Sequence, residues 1–208
     1  MTMFAKPLGL VLAGGLARRM GGGDKARISI GGATILERVL ARLGPQCAAV
    51  ILNANGDPTR FADAGLAVVP DSVPDFAGPL AGILAGLDWA AAHRPEIADV
   101  ASVPGDCPFL PPDLVARLRA ARPAAGVPLA CARSGEWRHP VVGLWPVKLR
   151  EDLRHALVEE DLRKIEIWTG RHGVAVADWP AAPVDPFFNV NTPQDAAAAE
   201  RMAALDIP

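Results

Sequence analysis

A glycine-rich segment that carries three cations is the part of this sequence best suited to chemistry. It reads LVLAGGLARRMGGGDK over residues 10–25, with Arg18, Arg19 and Lys25 among its glycines. Glycine lets the backbone approach a ligand closely, and the exposed N–H groups of such a loop can bind phosphate oxygens. No Ser or Thr follows Lys25, so the loop is not a Walker A motif. We therefore expect Lys25 and Arg19 to act as charges on a polyphosphate, and a flexible basic surface loop is the alternative.

A carboxylate at the end of a later apolar run has the chemistry of a magnesium ligand. Asp106 ends the stretch DVASVPGD, and Mg²⁺ prefers oxygen ligands and shares its coordination shell with substrate phosphates. The alternative is that Asp106 caps the following helix, but Asp113 stands closer to that helix. Cys107 is predicted to be a packing residue, since sulfur is a poor ligand for Mg²⁺.

Polar residues also follow the second and third apolar runs. The Asn53 side-chain amide can both donate and accept hydrogen bonds to a base or ribose. Asp71 could accept from the ring N–H and exocyclic amine of guanine, a pairing that cytosine cannot reproduce. Turn-forming roles are the alternative for both residues. Gly78 precedes a predicted helix, whose free N–H groups and positive dipole end would favour nearby anions.

The C-terminal half contributes weaker candidates. Asn189 and Asn191 would lie on the same side of an extended segment, with Val190 turned inward, or they belong to a polar loop that caps a helix. Arg163 and Lys164 taken alone are typical of surface charges. His139, before Pro140, is interpreted as a hydrogen-bonded structural histidine.

Apolar runs alternate with amphipathic stretches in the first half of the chain. Strands are predicted at Leu8–Ala13, Ala48–Ala54, Leu66–Asp71 and Asp99–Asp106, and helices at Thr34–Gly44, Pro79–Arg94 and Pro111–Arg122. Thr34 and Glu37 have the spacing of a capping box. This alternation predicts a parallel sheet covered on both faces, and such sheets bind ligands beyond the carboxyl ends of their strands.

The second half has a different pattern. Val127–Trp145 is typical of two strands around a turn at Ser134–Gly135. A further strand is predicted at Val174–Trp179. Helices are predicted at Lys148–Asp161, at Leu162–Gly173 (ending at Gly170 or Gly173) and at Thr192–Leu205. Thr192 is the predicted N-cap of the last helix. The fold class is therefore a three-layer α/β/α, Rossmann-like fold, whose mostly parallel twisted sheet has an antiparallel addition in the C-terminal half.

Composition narrows the class of protein. The chain has 208 residues, 50% of them hydrophobic, which suits one domain. A net charge of -2 argues against a general nucleic-acid binder. The three cysteines, Cys47, Cys107 and Cys131, lack zinc-site spacing and are expected to be reduced thiols. With neither a signal peptide nor a membrane span predicted, we expect a soluble cytoplasmic protein without membrane contact.

The glycine-rich loop resembles the signature of GT-A-type nucleotidyltransferases, and most closely that of the molybdenum cofactor guanylyltransferases. That family has LAGG, then RMG, then a GxDK ending, as in LAGGLARRMGGGDKA of this chain. The likeness continues in order through NAN (53–55), PDS (70–72), GPLAGI (78–83), GDCPFLPPDL (105–114), HPVVGLW (139–145) and FFNVNTPQD (187–195). The ordered set covers nearly the whole chain and is far more specific than any one block.

The resemblance implies transfer of GMP from GTP to the phosphate of Mo-molybdopterin, with release of pyrophosphate and Mg²⁺ as cofactor. It implies Lys25, Arg19 and Asp106 as catalytic residues, with Asp106 also binding the metal. The implied GTP-binding residues are Leu12, Ala13, Gly14, Gly15, Lys25, Asn53, Asp71 and Asp106. The implied molybdopterin-binding residues are Gly22, Gly78, Gly82, Asn189, Asn191, Arg163 and Lys164.

The same resemblance implies a single nucleotidyltransferase domain over residues 1–208. Residues 1–115 would bind the nucleotide, and residues 116–208 would largely bind the acceptor. Transient contacts with molybdoenzymes or other cofactor-biosynthesis proteins are expected, and nucleic acid is not an expected partner.

Three alternative functions stay open at this point. A molybdopterin cytidylyltransferase and a sugar-phosphate nucleotidyltransferase would use the same scaffold. The cytidylyltransferase group usually has LAAG where this chain has LAGG (12–15), which together with Asp71 favours guanine. A non-catalytic carrier of GTP or molybdopterin is the third alternative, although a carrier has no need of a metal-binding carboxylate such as Asp106.

Overall fold

A twisted sheet joins both halves of the chain. The structure is a computed structural model that describes residues 5–13, 27–73 and 78–205. Within those ranges, seven strands form one sheet in the order β5-β4-β1-β6-β8-β7-β9. The strands are β1 (Leu8–Leu12), β4 (Ala49–Asn53), β5 (Ala67–Val69), β6 (Asp99–Pro104), β7 (Leu129–Ser134), β8 (Trp137–Pro146) and β9 (Val174–Trp179), and a separate short hairpin comprises β2 (Ser29–Ile30) and β3 (Ala33–Thr34).

The N-terminal half of the sheet is parallel, as predicted. β1 lies between β4 and β6, and Leu12 at its end is level with Asn53 on one side and Pro104 on the other. β5 adds a further parallel strand beside β4. Side chains of β1 are buried because both faces of the sheet are covered, which explains why this strand is a continuous apolar run rather than an alternating one.

Helices cover the two faces of the sheet and give two apolar cores. Ile35, Val39 and Leu118 belong to one core, and Leu84, Leu153 and Trp168 belong to the other. The first face is covered by α1 (Ile35–Leu43), α3 (Leu114–Ala125) and α6 (Pro193–Ala203), and the second by α2 (Pro79–His93), α4 (Arg150–Val158) and α5 (Ile165–His172). The three-layer α/β/α fold class is therefore confirmed.

Two predicted helix starts are confirmed at the level of hydrogen bonds. Thr34 accepts a hydrogen bond from the Glu37 backbone, and the Glu37 side chain accepts one from the Thr34 backbone. The same reciprocal box joins Thr192 and Asp195 at the start of α6, with Pro193 in the first turn. Each box satisfies N–H groups that the helix itself leaves without partners, so a local sequence signal was sufficient here.

The predicted boundaries of α3 were wrong. The helix begins at Leu114 rather than Pro111, and it continues through Pro123 to Ala125, where Gly126 closes it with a left-handed φ of 67°. Asp113 occupies the N-cap position but makes no capping bond. Its carboxylate instead accepts hydrogen bonds from Arg117 Nε at 2.7 Å and Trp179 Nε1 at 2.9 Å.

The C-terminal half forms the predicted antiparallel addition. β8 runs antiparallel to both β6 and β7, and β9 then pairs in parallel with β7. The β7–β8 hairpin turns between Ser134 and Trp137, within a residue of the prediction, and Gly173 ends α5, one of the two stops considered. The division into a nucleotide part (1–115) and an acceptor part (116–208) stays a prediction.

Several short elements were not predicted from the hydrophobic pattern. These are the β2–β3 hairpin and 3₁₀ helices at Pro58–Ala64, Gly44–Gln46 and Val147–Leu149. Among the described residues, no helix has both the length and the apolar character required to cross a bilayer.

Candidate active site

The carboxyl ends of three adjacent strands form the floor of the candidate site. Ala13 N donates to Asn53 O at 2.9 Å, and Gly105 N donates to Leu12 O at 2.9 Å. These bonds extend the pairing of β1, β4 and β6 just beyond the strands, so Leu12, Ala13, Asn53 and the Gly105–Asp106 turn lie along one edge. Four predicted site residues are thereby brought together at the expected place in the sheet.

The glycine-rich segment follows Ala13 in the sequence. Gly14, Gly15, Arg19, Gly22 and Lys25 lie outside the described residues. Their roles as phosphate-binding, acceptor-binding and catalytic residues therefore stay predictions.

Asn53, Asn55 and Asp71 form a connected polar network beside the edge. The buried Asn53 donates through Nδ2 to Asp71 Oδ1 at 2.9 Å and to Val69 O at 3.1 Å. Asn55 Nδ2 donates to Asp71 Oδ2 at 2.7 Å, while Asp71 N donates to Asn55 Oδ1 at 2.9 Å. Two amides thus hold one carboxylate in a fixed orientation, and each carboxylate oxygen keeps acceptor capacity for a ligand.

Asn55 was missed as a site residue by the sequence reasoning. The signal was present, because Asn55 is the last residue of the NAN block and Asp71 the middle residue of PDS. The pairing between the blocks depends on β4 and β5 lying side by side, which a single block does not reveal.

Gly82 provides the close approach of α2 to this edge. A Cβ at Gly82 would overlap the side-chain oxygen of Asn53 and lie 2.7 Å from Leu12 Cδ2. Gly82 is a buried residue of α2 that lies against Asn53 and Leu12, two of the predicted nucleotide-binding residues. Its clearest contribution is therefore to the packing of α2 beneath these two residues. Its predicted contact with molybdopterin stays a prediction.

Gly78 directly precedes α2 at the same end of the helix. Its backbone has φ 157° and ψ 165°, a conformation essentially restricted to glycine. Gly78 is exposed, and α2 begins with Pro79. The other N–H groups in the first turn of α2 have no acceptor within the helix, and they lie at the edge where an anion would bind.

We expect Gly82→Ala to destabilise the protein and to weaken nucleotide binding. The added methyl group would displace the Asn53 side chain that orients Asp71, and overpacking of this kind costs about 1–3 kcal/mol. Thermal melting and the KM for GTP are the measurements. Gly170→Ala is the matched control, because Gly170 lies in α5 with open space around its Cβ position and should melt no lower than wild type. An unchanged Tm and an unchanged KM in Gly82→Ala would contradict the packing argument.

Asp106 lies where β6 ends and is joined to a segment from the far end of the chain. Its backbone oxygen accepts a hydrogen bond from Val190 N at 2.9 Å, and Val190 is fully buried, as predicted. Asn189 Oδ1 accepts from Cys107 Sγ at 2.7 Å. Asp106 and Asn189 therefore lie on adjacent segments, one from each half of the chain.

Cys107 packs between these two residues. It is fully buried, and burial, together with the charges of Asp106 and Asp185, raises the pKa of its thiol well above the usual value. A protonated, buried thiol donates to Asn189 and does not bind Mg²⁺. The prediction of a packing role is confirmed by this geometry.

The other acceptor-side candidates have local partners. Asn191 is half-buried, and its backbone N donates to Asp195 Oδ2 at 2.9 Å, which ties it to the start of α6. Arg163 is exposed and donates through Nε to Asp161 Oδ1 at 3.0 Å. Lys164 is exposed and precedes α5. Their contacts with an acceptor stay predictions.

His139 has the structural surroundings that the sequence indicated. Its Nε2 lies 2.7 Å from Ser134 Oγ, and its ring is 4.8 Å from that of Phe187, centroid to centroid. Burial lowers the pKa of the imidazole, although the charge of Asp185 opposes this. The ring is therefore favoured in its neutral form and packs against the segment that carries Asn189.

The donor set around Asp106 suits one particular mode of metal binding. Within residues 5–13, 27–73 and 78–205, no group of three or more His, Cys, Asp or Glu residues could hold a metal ion. Mg²⁺, however, is commonly held by one or two carboxylates while substrate phosphates and water complete its shell. A half-buried carboxylate beside an exposed amide, Asp106 and Asn189, fits that mode.

Comparisons with known proteins show which family this chain resembles. Residues 9–173 match the family model described as the MobA-like NTP transferase domain. The chain is 64% identical over 198 residues to a molybdenum cofactor guanylyltransferase of Bradyrhizobium sp. (strain ORS 278), covering 95% of this chain and 93% of the relative. A protein of the same description from Nitrobacter hamburgensis is 63% identical over 198 residues, covering 95% of each chain.

A solved structure has the same fold. The molybdopterin-guanine dinucleotide biosynthesis protein A of Archaeoglobus fulgidus superposes with a TM-score of 0.72 at 22% identity, covering 95% of this chain and 99% of that one. At this level of identity the likeness concerns the arrangement of the sheet and helices.

Proposed function

This chain belongs to the MobA-like NTP transferase domain family, and from that premise we propose that it transfers GMP from GTP to the phosphate of Mo-molybdopterin. The products are the guanine dinucleotide form of the cofactor and pyrophosphate. The observation that carries the proposal is the near-full-length likeness to guanylyltransferases. The sheet edge that joins Leu12, Asn53 and Asp106 supplies a matching site. The protein is a nucleotidyltransferase, and we place its work in the cytoplasm, where its three free, buried cysteines would stay reduced.

Guanine recognition is assigned to the network around Asp71. A carboxylate that faces the ring N–H and exocyclic amine of guanine accepts two hydrogen bonds at once, and cytosine lacks that pair of donors. Asn53 and Asn55 orient the carboxylate before the base arrives, so little conformational entropy is lost on binding. The backbone at Leu12 and Ala13 and the following Gly14 and Gly15 would hold the rest of the nucleotide.

The reaction requires two anions to be brought together. The phosphate of the acceptor is already ionised near neutral pH, so it can attack the α-phosphorus of GTP without a general base. Lys25 and Arg19 would offset the negative charge that builds up on the leaving pyrophosphate. The backbone that follows β1 would hold the α-phosphorus in line with the attacking oxygen, which lowers the entropic part of the barrier.

Asp106, with Asn189 beside it, is the residue that would hold Mg²⁺. When bound, the ion polarises phosphoryl oxygens and lowers the repulsion between the two substrates. The chain's own contribution is to fix Asp106 by the bond from Val190 to its backbone oxygen. Cys107, packed beneath, positions the Asn189 amide through its hydrogen bond.

We expect Asp71→Asn to weaken discrimination for guanine. The amide that replaces the carboxylate presents only one acceptor oxygen and brings a donor against the donors of the base, so kcat/KM for GTP should fall by about 10–100-fold, the scale of one hydrogen bond to a charged group. Steady-state assays with GTP and CTP measure the ratio. Asp63→Asn is the matched control, because that carboxylate is 70% exposed and pairs with Arg27. If kcat/KM for GTP were unchanged, Asp71 would not contact the base.

The proposal as a whole is tested by pyrophosphate release from GTP, CTP, ATP and UTP, each with Mo-molybdopterin and Mg²⁺. Release from GTP alone is expected. A preference for CTP would indicate a cytidylyltransferase. In a parallel assay with a sugar phosphate in place of Mo-molybdopterin, turnover found only there would indicate the sugar-nucleotide alternative. Binding of GTP without any pyrophosphate release would indicate a carrier. Contacts with molybdoenzymes or other cofactor-biosynthesis proteins belong to this proposal and would follow product formation.

A further inference from the structure

Trp137 differs from the tryptophans of the core. Among the described residues, Trp145, Trp168 and Trp179 are buried, and each donates its indole N–H to a side chain: Ser102 Oγ at 2.7 Å, Asp152 Oδ1 at 2.8 Å and Asp113 Oδ1 at 2.9 Å. Trp137 is 76% exposed. A large aromatic side chain left in water contributes nothing to the core, and its flat face is available to stack on a flat ligand.

Trp137 lies at the same end of the sheet as the candidate active site. Because β8 runs antiparallel to β6, its first residues lie beyond the end of β6, where Asp106 follows. Trp137 lies opposite Ser134 of β7, and His139 lies opposite Ala132. Residues two apart in a strand share a face, about 6–7 Å from each other, so Trp137 and His139 lie on the same face of β8, and we call this pair the hairpin platform.

The hairpin platform connects to the metal-binding candidate through direct contacts. The His139 ring packs on Phe187 at 4.8 Å, and Phe187 O accepts a hydrogen bond from Cys107 Sγ at 3.7 Å. Cys107 follows Asp106 in the chain. Phe187 is itself buried, so its contact with His139 anchors the hairpin to the segment that carries the exposed Asn189. A flat molecule whose phosphate lay at Asp106 would therefore extend past Asn189 and His139 toward Trp137.

We propose that the hairpin platform binds the planar heterocycle of the acceptor, with the indole of Trp137 stacked on its outer ring. The inference rests on the proposed function, since it takes a pterin phosphate as the acceptor. Stacking on an aromatic face depends on the flatness of the ring more than on its substituents. Trp137 is thus an acceptor-binding residue, while His139 packs on Phe187 and thereby holds the hairpin next to the segment that carries Asn189.

The first test separates acceptor affinity from turnover. In Trp137→Ala, the KM for Mo-molybdopterin should rise about 10-fold, the loss of one stacking partner. The kcat, the KM for GTP and the Tm should stay near wild type, because Trp137 is outside the core and away from Asn53 and Asp71. Trp137→Phe should restore most of the affinity. Ile167→Ala is the matched control, an exposed apolar residue of α5 at 53% exposure, and should leave all four quantities unchanged.

A direct binding measurement keeps the inference distinct from the proposed function. Fluorescence anisotropy of 6-carboxypterin, a stable pterin with one carboxylate, is titrated with wild type and with Trp137→Ala in the presence of GTP. If wild type releases pyrophosphate but the acceptor KM of the alanine variant is within twofold of wild type, the hairpin platform is overturned and the proposed function stands. If wild type releases no pyrophosphate, the proposed function fails, and the titration decides the inference: binding lost only in the alanine variant supports it, while equal binding or none overturns it.

Discussion

Replacing Asp106 by alanine is expected to lower kcat by about 10²–10³-fold, the usual loss when one electrostatic group at a reacting centre is removed. The KM for GTP should change much less, because Leu12, Asn53 and Asp71, which we propose hold the nucleotide, lie on the other side of the edge. Single-turnover measurement of pyrophosphate release, together with equilibrium binding of GTP, separates the two effects. Folding should survive, since the bond from Val190 reaches the backbone of Asp106 and not its side chain.

Two further variants make the Asp106 result specific. Asp106→Asn keeps the size of the side chain but removes its charge, so it should lose nearly as much turnover as the alanine variant. Glu96→Ala removes an exposed carboxylate, paired with Arg94, from the opposite end of β6 and should have wild-type kinetics. Turnover within a few-fold of wild type in Asp106→Ala would exclude this residue as the metal ligand.

Asp99→Ala is expected to produce the largest loss of stability. Asp99 and Arg122 form two hydrogen bonds, at 2.7 and 2.8 Å, with side chains only 15% and 17% exposed. Removing the carboxylate leaves the guanidinium partly buried without its counter-charge, which costs about 3 kcal/mol. For a domain of this size the Tm should fall by roughly 6–12 °C. Activity at 25 °C should be retained, because Asp99 begins β6 while the candidate site lies where β6 ends.

A double variant distinguishes the buried charge from a general loss of packing. Asp99→Leu combined with Arg122→Met replaces both partners by apolar side chains, and such replacements of buried ion pairs are often neutral. The double variant should therefore melt well above Asp99→Ala. Equal melting temperatures for the two would show that the ion pair itself is not what stabilises this corner.

Much of the fold was predictable because its signals are local. β1 and β6 are apolar runs buried on both faces, and the capping boxes of Thr34 and Thr192 lie within four residues of sequence. Asp113 shows where local reasoning fails. Its sequence position predicts a capping bond, but Trp179 and Arg117 compete for the carboxylate, and Trp179 is distant in the chain.

The candidate site likewise has residues that could be predicted from the sequence and contacts that could not. Asn53, Asp71 and Asp106 were predictable as polar residues at strand ends, and family resemblance supplied their roles. The Asn55–Asp71 bonds, the Cys107–Asn189 bond and the contact of His139 with Phe187 each join segments that are remote in sequence or lie on different strands. No spacing rule within one segment could reveal them, because they depend on which strands become neighbours.

The bond from Val190 to the Asp106 backbone has a consequence for biosynthesis of the protein itself. During translation, the parallel strands of the N-terminal half emerge from the ribosome long before residues 187–191 and before α6, whose Glu200 accepts from Gly31 N at 3.0 Å. A nascent chain can thus assemble the strands that we propose bind the nucleotide before the corner that we propose holds Mg²⁺ is complete. Catalytic competence would arise only once residues 187–191 have been made, so a chain stalled before them would be expected to hold nucleotide without consuming it.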